Sequence, residues 1–206
     1  MAYPVSVTVE PPAGERNRLT TACRLILAIP HFLLIGGLGA SFTTGNGWAF
    51  GSEGGVLGAV VVFLAVVSWF TILLTGTHIA GIRELSRFYL RWRVRALAYA
   101  MLLEDAYPPF GEGSYRAGAA FVEPALPRNK MTVGFRLILA IPHFCVLFIL
   151  TLAWGVTAFI GWLLIVATGA YPKGLHEFGV GTLRWHIRVE AYMLLLVDDY
   201  PPFSLD

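Results

Sequence analysis

The chain contains long uncharged runs that alternate with shorter segments rich in arginine. Leu25 to Ser52, Gly54 to Ile82 and Leu137 to Pro172 hold no Asp, Glu, Lys or Arg. A membrane-spanning helix needs about 20 apolar residues, so each of the first two runs predicts one span. As one helix the third run would extend about 54 Å, beyond the ~30 Å hydrocarbon core. It therefore predicts two spans that fold back near Trp154 and Gly155, with shallow or re-entrant legs as the alternative.

An internal repeat organises these runs. Arg24 to Phe32 recurs letter for letter as Arg136 to Phe144, 112 residues later. Tyr107 to Phe110 recurs as Tyr200 to Phe203, 93 residues later. The two offsets differ by 19 residues, which fit the segment from Gly36 to Gly55, rich in Gly, Ser, Thr and Asn and typical of a loop. The chain is therefore predicted to carry two copies of one unit.

Each copy opens with a short segment that resembles a strand. Tyr3 to Pro11 alternates valines with polar residues, and Tyr115 to Pro124 occupies the same place in the second copy. A half-buried strand needs a neighbour, and the strand of the other copy is the obvious one. We predict repeat 1 at 1–112 and repeat 2 at 113–206, each with a strand, a transmembrane hairpin, an amphipathic helix and a Tyr-Pro-Pro-Phe ending.

Composition and charge place the chain in a membrane. Hydrophobic residues make up 56% of the chain and charged residues 14%, against about 25% charged in a soluble domain. The net charge of +2 gives no support to a nucleic-acid partner. Lys and Arg occur before, between and after the expected hairpins, which predicts that both termini are cytoplasmic. The expected fold is an all-α, multi-pass protein of the bacterial inner (cytoplasmic) membrane, with two parallel repeats of a helical hairpin and short N-terminal strands.

Basic and aromatic residues follow the second span of each copy. In repeat 1, arginines recur every four residues and share one helix face. The residues predicted to lie at the membrane interface are Arg83, Arg87, Arg91, Arg95, Trp92, Arg184, Trp185 and Arg188. Cations that meet anionic headgroups beside rings at the acyl boundary are typical of an interfacial helix. An equal alternative is a helix that packs on the other repeat, with its arginines in salt bridges.

The repeated polar residues inside or beside the apolar runs are the candidates for a special role. His31 and His143 each follow a proline, and we predict that each imidazole bonds a carbonyl group that Pro30 or Pro142 leaves free. Ligation of haem or a chlorophyll-type pigment by the two histidines, and a proton relay, are the alternatives. Structural roles are predicted for Arg24, Pro30, Asp105, Arg136, Pro142 and Asp198. The arginines either reach lipid phosphates or pair with the aspartates.

The repeated motifs resemble those of a bacterial family. Arg-Leu-x-Leu-x-Ile-Pro-His, and Arg-Trp-x-x-Arg followed by Tyr-Pro-Pro-Phe at 91–110 and 184–203, are similar to segments of DUF4389 membrane proteins. The resemblance covers nearly the whole chain and implies a bacterial membrane protein, but it carries over no catalytic residue.

No nucleophile, phosphate-loop or zinc motif is present in the sequence, so we expect no enzyme and no metal site. The predicted function is a non-catalytic accessory or scaffold subunit that packs with other membrane proteins or with itself. Its predicted partners are the lipid bilayer, anionic lipids and those subunits. The alternatives are a small oligomeric channel or transporter, and a cofactor-binding subunit that uses His31 and His143.

Overall fold

The chain folds into a mainly helical protein with one small sheet. The computed structural model describes residues 3–11, 14, 16–37 and 55–206, and these residues form seven helices and two strands. In chain order the elements are β1 Val5–Val9, α1 Arg18–Ala22, α2 Arg24–Ile35, α3 Val56–Thr75, α4 Ala80–Ala100, β2 Ala117–Phe121, α5 Lys130–Gly134, α6 Arg136–Thr168 and α7 Lys173–Met193. Two of these helices, α3 and α6, are long and apolar enough to cross a membrane.

The sheet joins the two repeats. Strands β1 and β2 pair in antiparallel fashion, with Val5 opposite Phe121 and Val9 opposite Ala117. Val5 and Val7 are buried on one face, while Ser6 and Thr8 on the other face are exposed, as their alternation predicts. The sheet packs on α4 and α7. The prediction that the two N-terminal segments form strands and pair with each other is confirmed.

Helix α6 is a single unbroken helix of 33 residues. At a rise of 1.5 Å per residue its length is about 50 Å. Between Pro142 and Gly169 the sequence offers no further proline and no turn-forming cluster, and an isolated Gly155 is tolerated inside a helix. Gly169, at φ 77°, provides the left-handed residue that ends it. The prediction that the chain folds back near Trp154 and Gly155 is therefore wrong.

In repeat 1 the equivalent of α6 is divided between α2 and α3. Helix α2 matches the first third of α6 at the offset of 112, and α3 matches the rest at the offset of 93. The end of α2 meets the start of α3, because a Cβ atom at Gly55 would lie 2.2 Å from the Gly36 nitrogen. Part of the connection predicted at Gly36 to Gly55 lies outside the described residues. We use "long helix" for α6 and for α2 with α3.

Each long helix runs antiparallel to the helix that follows it. In repeat 2 the start of α6 meets the end of α7, where Arg136 bonds the Tyr192 carbonyl, and further along α6 the ring of Trp154 lies against Gly179. In repeat 1 Arg24 bonds the Tyr99 carbonyl near the end of α4. The short connection between α3 and α4 completes the same antiparallel arrangement. Since α2 and α3 both run opposite to α4, they share one direction, and the hairpin predicted for repeat 1 is absent.

The two long helices run in opposite directions. The backbone nitrogen of Arg16, just before α1, donates to the Gly169 carbonyl at the end of α6 over 3.1 Å. The equivalent Arg128 nitrogen, just before α5, donates to the Gly76 carbonyl at the end of α3, also over 3.1 Å. The start of each long helix therefore lies beside the end of the other. The predicted pair of parallel hairpins is wrong in this respect, because the two long helices are antiparallel and the start of each lies beside the end of the other.

Helices α4 and α7 form a second layer and also run in opposite directions. Arg93 in the middle of α4 lies 2.8 Å from Glu190 of α7. At one end of the layer His176, near the start of α7, lies 3.2 Å from the carbonyl of Leu103, just after α4. The main hydrophobic core lies between this layer, the sheet and the long helices. We call α4 and α7 the charged layer, and α2, α3 and α6 the apolar layer.

The apolar layer exposes most of its surface. Each of its helices buries one stripe of side chains; in α3 that stripe is Gly58, Val61, Ala65, Ser68 and Ile72. In the most apolar 18-residue stretch of α3 and of α6, 22% of the residues are buried in the protein. Large hydrophobic side chains such as Phe63 and Ile149 are about two-thirds exposed. The helices therefore pack against the charged layer on one side only.

Candidate functional site

Two equivalent Arg–Asp clusters lie where each long helix begins. In repeat 1 Asp105 accepts from Arg16 at 2.8 Å and from Arg24 at 2.6 Å. In repeat 2 Asp198 accepts from Arg128 and Arg136 in the same way. Both aspartates were singled out from the sequence together with Arg24 and Arg136, and the structure joins these residues in pairs. Arg16 and Arg128 were missed.

The missed arginines had a signal in the sequence. Arg16-Asn17 recurs as Arg128-Asn129 at the same offset of 112 that relates Arg24 to Arg136. Asn17 caps α1 by accepting from the backbone nitrogens of Leu19 and Thr20, and Asn129 caps α5 in the same manner. The short helix then places the second arginine at the start of the long helix. The recurrence of a capping residue beside an arginine could have identified the cluster.

Each cluster holds two buried guanidinium groups against one carboxylate. Arg24 is 1% exposed and Arg136 2% exposed. Carbonyl groups at the ends of α4 and α7 accept further hydrogen bonds, for example from Arg24 to Glu104 at 3.1 Å. The arginines also lie over the rings of Tyr99 and Tyr192. The negative end of a helix dipole and an aromatic face thus stabilise the second positive charge.

Two equivalent His–aromatic clusters lie about two turns further along the long helices. The Trp92 indole donates to His31 Nδ1 over 3.0 Å, and Trp185 donates to His143 Nδ1 over 3.1 Å. The phenylalanine of each Tyr-Pro-Pro-Phe segment stacks on the imidazole, at 4.3 Å for Phe110 and 4.1 Å between the Phe203 and His143 centroids. Both histidines are fully buried.

The geometry of these clusters corrects the predicted role of the histidines. Their Nδ1 atoms accept from tryptophan and do not bond a carbonyl that Pro30 or Pro142 leaves free; both prolines lie inside helices. Because Nδ1 accepts, the neutral ring carries its proton on Nε2. The hydroxyl of each tyrosine in the Tyr-Pro-Pro-Phe segments donates to a long-helix carbonyl, Leu27 or Leu139.

The structure does not bring His31 and His143 into a common site. Each is enclosed by the tryptophan, tyrosine and phenylalanine of its own repeat. Within the described ranges, no group of three or more His, Cys, Asp or Glu side chains could hold a metal ion. A haem or pigment ligated by both imidazoles therefore gains no support from their placement.

The residues predicted at the membrane interface contact other parts of the protein. Arg83 and Arg87 pair with Glu123, and Arg91 lies 3.8 Å from Glu112. The remaining arginine contacts are Arg95 to the Gly111 carbonyl, Arg184 to the Leu205 carbonyl, and Arg188 over the ring of Tyr3. Trp92 and Trp185 are buried, so their indoles are not available to lipid headgroups. These contacts match the alternative in which the helices pack within the protein.

A buried ion pair between Arg93 and Glu190 connects the two repeats. Besides Glu190, the Arg93 guanidinium donates to the carbonyls of Ile35 at 2.8 Å, Gly36 at 3.2 Å and Gly37 at 3.0 Å. Burial raises the pKa of Glu190, and the charge of Arg93 opposes this shift. Sequence comparison missed the pair, because the equivalents of its members are His186 and Leu97, which cannot form it.

His186 occupies the position of Arg93 in repeat 2. Its Nε2 atom lies 2.8 Å from the Thr151 hydroxyl of α6. Burial, assisted by the positive charge of Arg93, lowers the pKa of His186 to about 3. The imidazole is therefore neutral at physiological pH, whereas the equivalent arginine is charged.

These features define a class of protein with two helical repeats whose long helices are antiparallel. Each repeat has an apolar long helix, an Arg–Asp cluster and a His–aromatic cluster. The chain belongs to the DUF4389 family, a domain of unknown function, whose model matches it twice, at residues 52–111 and 130–204. The two matches agree with a tandem arrangement of the domain. No curated protein and no solved structure matches the chain.

Proposed function

We propose that this protein is a non-catalytic scaffold or accessory subunit embedded in the bacterial cytoplasmic membrane by its apolar layer. The observation that carries the proposal is the exposed surface of α2, α3 and α6, where large aliphatic and aromatic side chains point away from the protein. An apolar surface of this extent is unfavourable in water and is typical of a membrane or protein contact. Lipid satisfies such a surface along its whole length.

The distribution of charge supports the same proposal. Residues 25–35, 56–75 and 137–168 contain no Asp, Glu, Lys or Arg, whereas α4 alone holds five arginines and one glutamate. Charged groups remain in water while the apolar helices enter lipid. The exposed Arg18 and Lys130, which lie beside the ends of the apolar helices, suit anionic headgroups, and the overall distribution of lysine and arginine favours termini on the cytoplasmic side.

The polar clusters support a structural role. The aspartates of the Arg–Asp clusters, the imidazoles of the His–aromatic clusters and the Arg93–Glu190 pair all have partners inside the protein. Each partner joins a long helix to the charged layer or one repeat to the other. Such contacts fix a rigid surface that can hold another membrane subunit or a second copy of this chain.

Membrane extraction tests the first part of the proposal. The full chain, expressed in bacteria, should remain in the membrane pellet after high salt and after alkaline carbonate, and mild detergent should release it. Release by salt alone would show binding through charge only, and recovery in the soluble fraction would contradict the proposal. A matched control is the chain with Ile138→Glu and Ile149→Glu, which should shift toward the carbonate-soluble fraction.

Mass and absorption of the detergent-purified protein test the scaffold role. The expected result is a colourless complex with a defined stoichiometry, made of this chain or of this chain with another subunit. A visible absorption band lost in the His31→Phe/His143→Phe variant would support the cofactor alternative. A strictly monomeric protein, after extraction at several detergent concentrations, would contradict a scaffold.

A further inference from the structure

We infer that the apolar layer lies flat in one leaflet of an anionic phospholipid bilayer and does not cross it. This inference rests on the proposed membrane embedding and specifies its geometry. The surface that contacts lipid is the side of α2, α3 and α6 that faces away from the charged layer. The acyl chains of one leaflet cover this surface.

The length and partner of α6 argue against an upright orientation. The helix is about 50 Å long, whereas the hydrocarbon core is about 30 Å thick. From Trp154 back to Arg136 it is accompanied by α7, which lies along it as an antiparallel neighbour. If α6 crossed the membrane, α7 would cross with it. Arg184 and Arg188, which are only partly buried, would then lie at hydrocarbon depth.

Repeat 1 leads to the same conclusion through a different set of charges. Helix α4 accompanies α2 and α3, and its ion pairs are open to the surroundings: the side chains of Glu84 and Glu123 are 59% and 55% exposed, and that of Arg91 is 38% exposed. An upright α3 would carry these side chains into lipid, where exposed charges are strongly disfavoured. With the layers parallel to the membrane, they stay in water.

The opposite directions of the long helices place α1 and α5 at the two ends of the apolar layer. Helices α1 and α5 join the end of one long helix to the start of the other, through the hydrogen bonds from Trp162 to Thr21 and from Trp69 to Val133. Leu19 in α1 and Met131 in α5 are also exposed. The apolar surface therefore continues from one long helix to the other across both ends.

Charged and aromatic residues at the edge of this surface suit the headgroup region. Arg18 lies at the end of α6 beside Gly169, and the ammonium group of Lys130 lies 3.1 Å from the Leu74 carbonyl near the end of α3. Both side chains are exposed and positive, as contact with anionic lipid requires. The aromatic residues of the Tyr-Pro-Pro-Phe segments are about half exposed: Tyr107, Phe110, Tyr200 and Phe203. Aromatic rings of this kind favour the boundary between headgroups and acyl chains.

Three isoleucines on one face of α6 provide the test. Ile138, Ile149 and Ile160 follow at intervals of 11 residues, and their side chains are 61%, 66% and 44% exposed. Eleven residues make close to three turns, so the three share a face, and the outer two are about 33 Å apart. An upright helix would therefore place the outer two near opposite membrane surfaces and Ile149 near the centre.

The experiment measures the depth of each position in vesicles of phosphatidylethanolamine and phosphatidylglycerol. Ile138→Cys, Ile149→Cys and Ile160→Cys are made singly in the full chain with Cys23→Ser and Cys145→Ala, and each carries a nitroxide. Collision rates with oxygen, which prefers lipid, and with a water-soluble nickel complex give the depth. We expect the three labels to share one shallow depth, about 5–10 Å below the headgroups.

The outcomes separate this inference from the proposed function. Labels in lipid with the middle position clearly deepest would overturn the flat orientation and leave membrane embedding intact. Labels exposed to nickel at all three positions would contradict embedding itself. Labels shielded from both oxygen and nickel, together with spin–spin broadening between labelled chains, would show that a second copy covers the surface and would overturn the lipid assignment.

Discussion

The middle of the long helix differs between the repeats, whereas its beginning is nearly the same in both. At the beginning, the partners of Arg24 and His31 in repeat 1 are equivalent to those of Arg136 and His143 in repeat 2. In the middle, repeat 1 divides its helix after Ile35, and repeat 2 continues without a break. Identical local sequence thus gives equivalent clusters in the two repeats. A break in the long helix changes the residue that packs against its middle, which is Arg93 in repeat 1 and His186 in repeat 2.

The break between α2 and α3 explains why Arg93 of repeat 1 has a histidine, His186, as its equivalent in repeat 2. The last carbonyl groups of a helix lack partners in the helix itself. Arg93 donates to the carbonyl of Ile35, the last residue of α2, and to those of Gly36 and Gly37 just after it, and the Tyr89 hydroxyl donates to the Ile35 carbonyl over 3.2 Å. In α6 the equivalent carbonyls lie within a continuous helix. A neutral His186, bonded to Thr151, is sufficient there.

Removal of Arg93 should produce the largest difference between the repeats. Arg93→Ala leaves Glu190 buried without its ion-pair partner and leaves the carbonyls at the end of α2 without donors. Loss of one member of a buried ion pair lowers the free energy of unfolding by about 3–5 kcal/mol. The matched His186→Ala variant removes one hydrogen bond and should lower it by about 1–2 kcal/mol. Urea unfolding in detergent measures the loss in both variants. Equal losses would contradict the difference in role between Arg93 and His186.

The repeated parts of the fold were predictable, and the unrepeated parts were not. The pairing of β1 with β2 followed from alternation and recurrence, and recurrence also identified Arg24, Asp105 and their equivalents. The direction of the long helices was missed because an uncharged run as long as α6 satisfies both a hairpin and one helix by composition alone. Its packing against α7 decides between them, and no local pattern reports a contact between residues as distant as Trp154 and Gly179.

The Arg–Asp clusters should respond almost equally to loss of their carboxylates. Asp105→Asn and Asp198→Asn keep an acceptor oxygen but leave two buried arginines without a negative charge. Hydrogen bonds to charged groups contribute about 1.5–3 kcal/mol, so each variant should lower the free energy of unfolding by that amount. Repeat 2 should lose slightly more, because Arg128 contacts both oxygens of Asp198. The same urea titration checks this. A loss in only one variant would show that the clusters are not equivalent.

Acidification should affect repeat 2 through His186, because the equivalent residue of repeat 1, Arg93, does not titrate in the acidic range. The pKa of His186 is lowered from 6.5 to about 3, so between these values the unfolded chain binds a proton that the folded chain does not. Stability therefore falls as the pH falls below 6.5, by at most about 2 kcal/mol for this residue at pH 5. His186→Gln should reduce the loss between pH 7 and pH 5, measured by unfolding at both pH values. An unchanged pH dependence would show that His186 is protonated in the folded protein or accessible to water.

The smallest effects should come from the indole donors, and they should be the same in both repeats. Trp92→Phe and Trp185→Phe keep an aromatic ring but remove the N–H group that donates to His31 or His143. Each imidazole then has a buried Nδ1 atom without a donor, and the lost hydrogen bond lowers the free energy of unfolding by about 1 kcal/mol. Because Phe110 and Phe203 stack on the two imidazoles at nearly the same distance, packing should not separate the variants. Unfolding of the two single variants and the double variant in the same detergent provides the measurement. Unequal single losses would show that the two clusters are not equivalent. A double loss far from the sum of the single losses would show that they are energetically coupled.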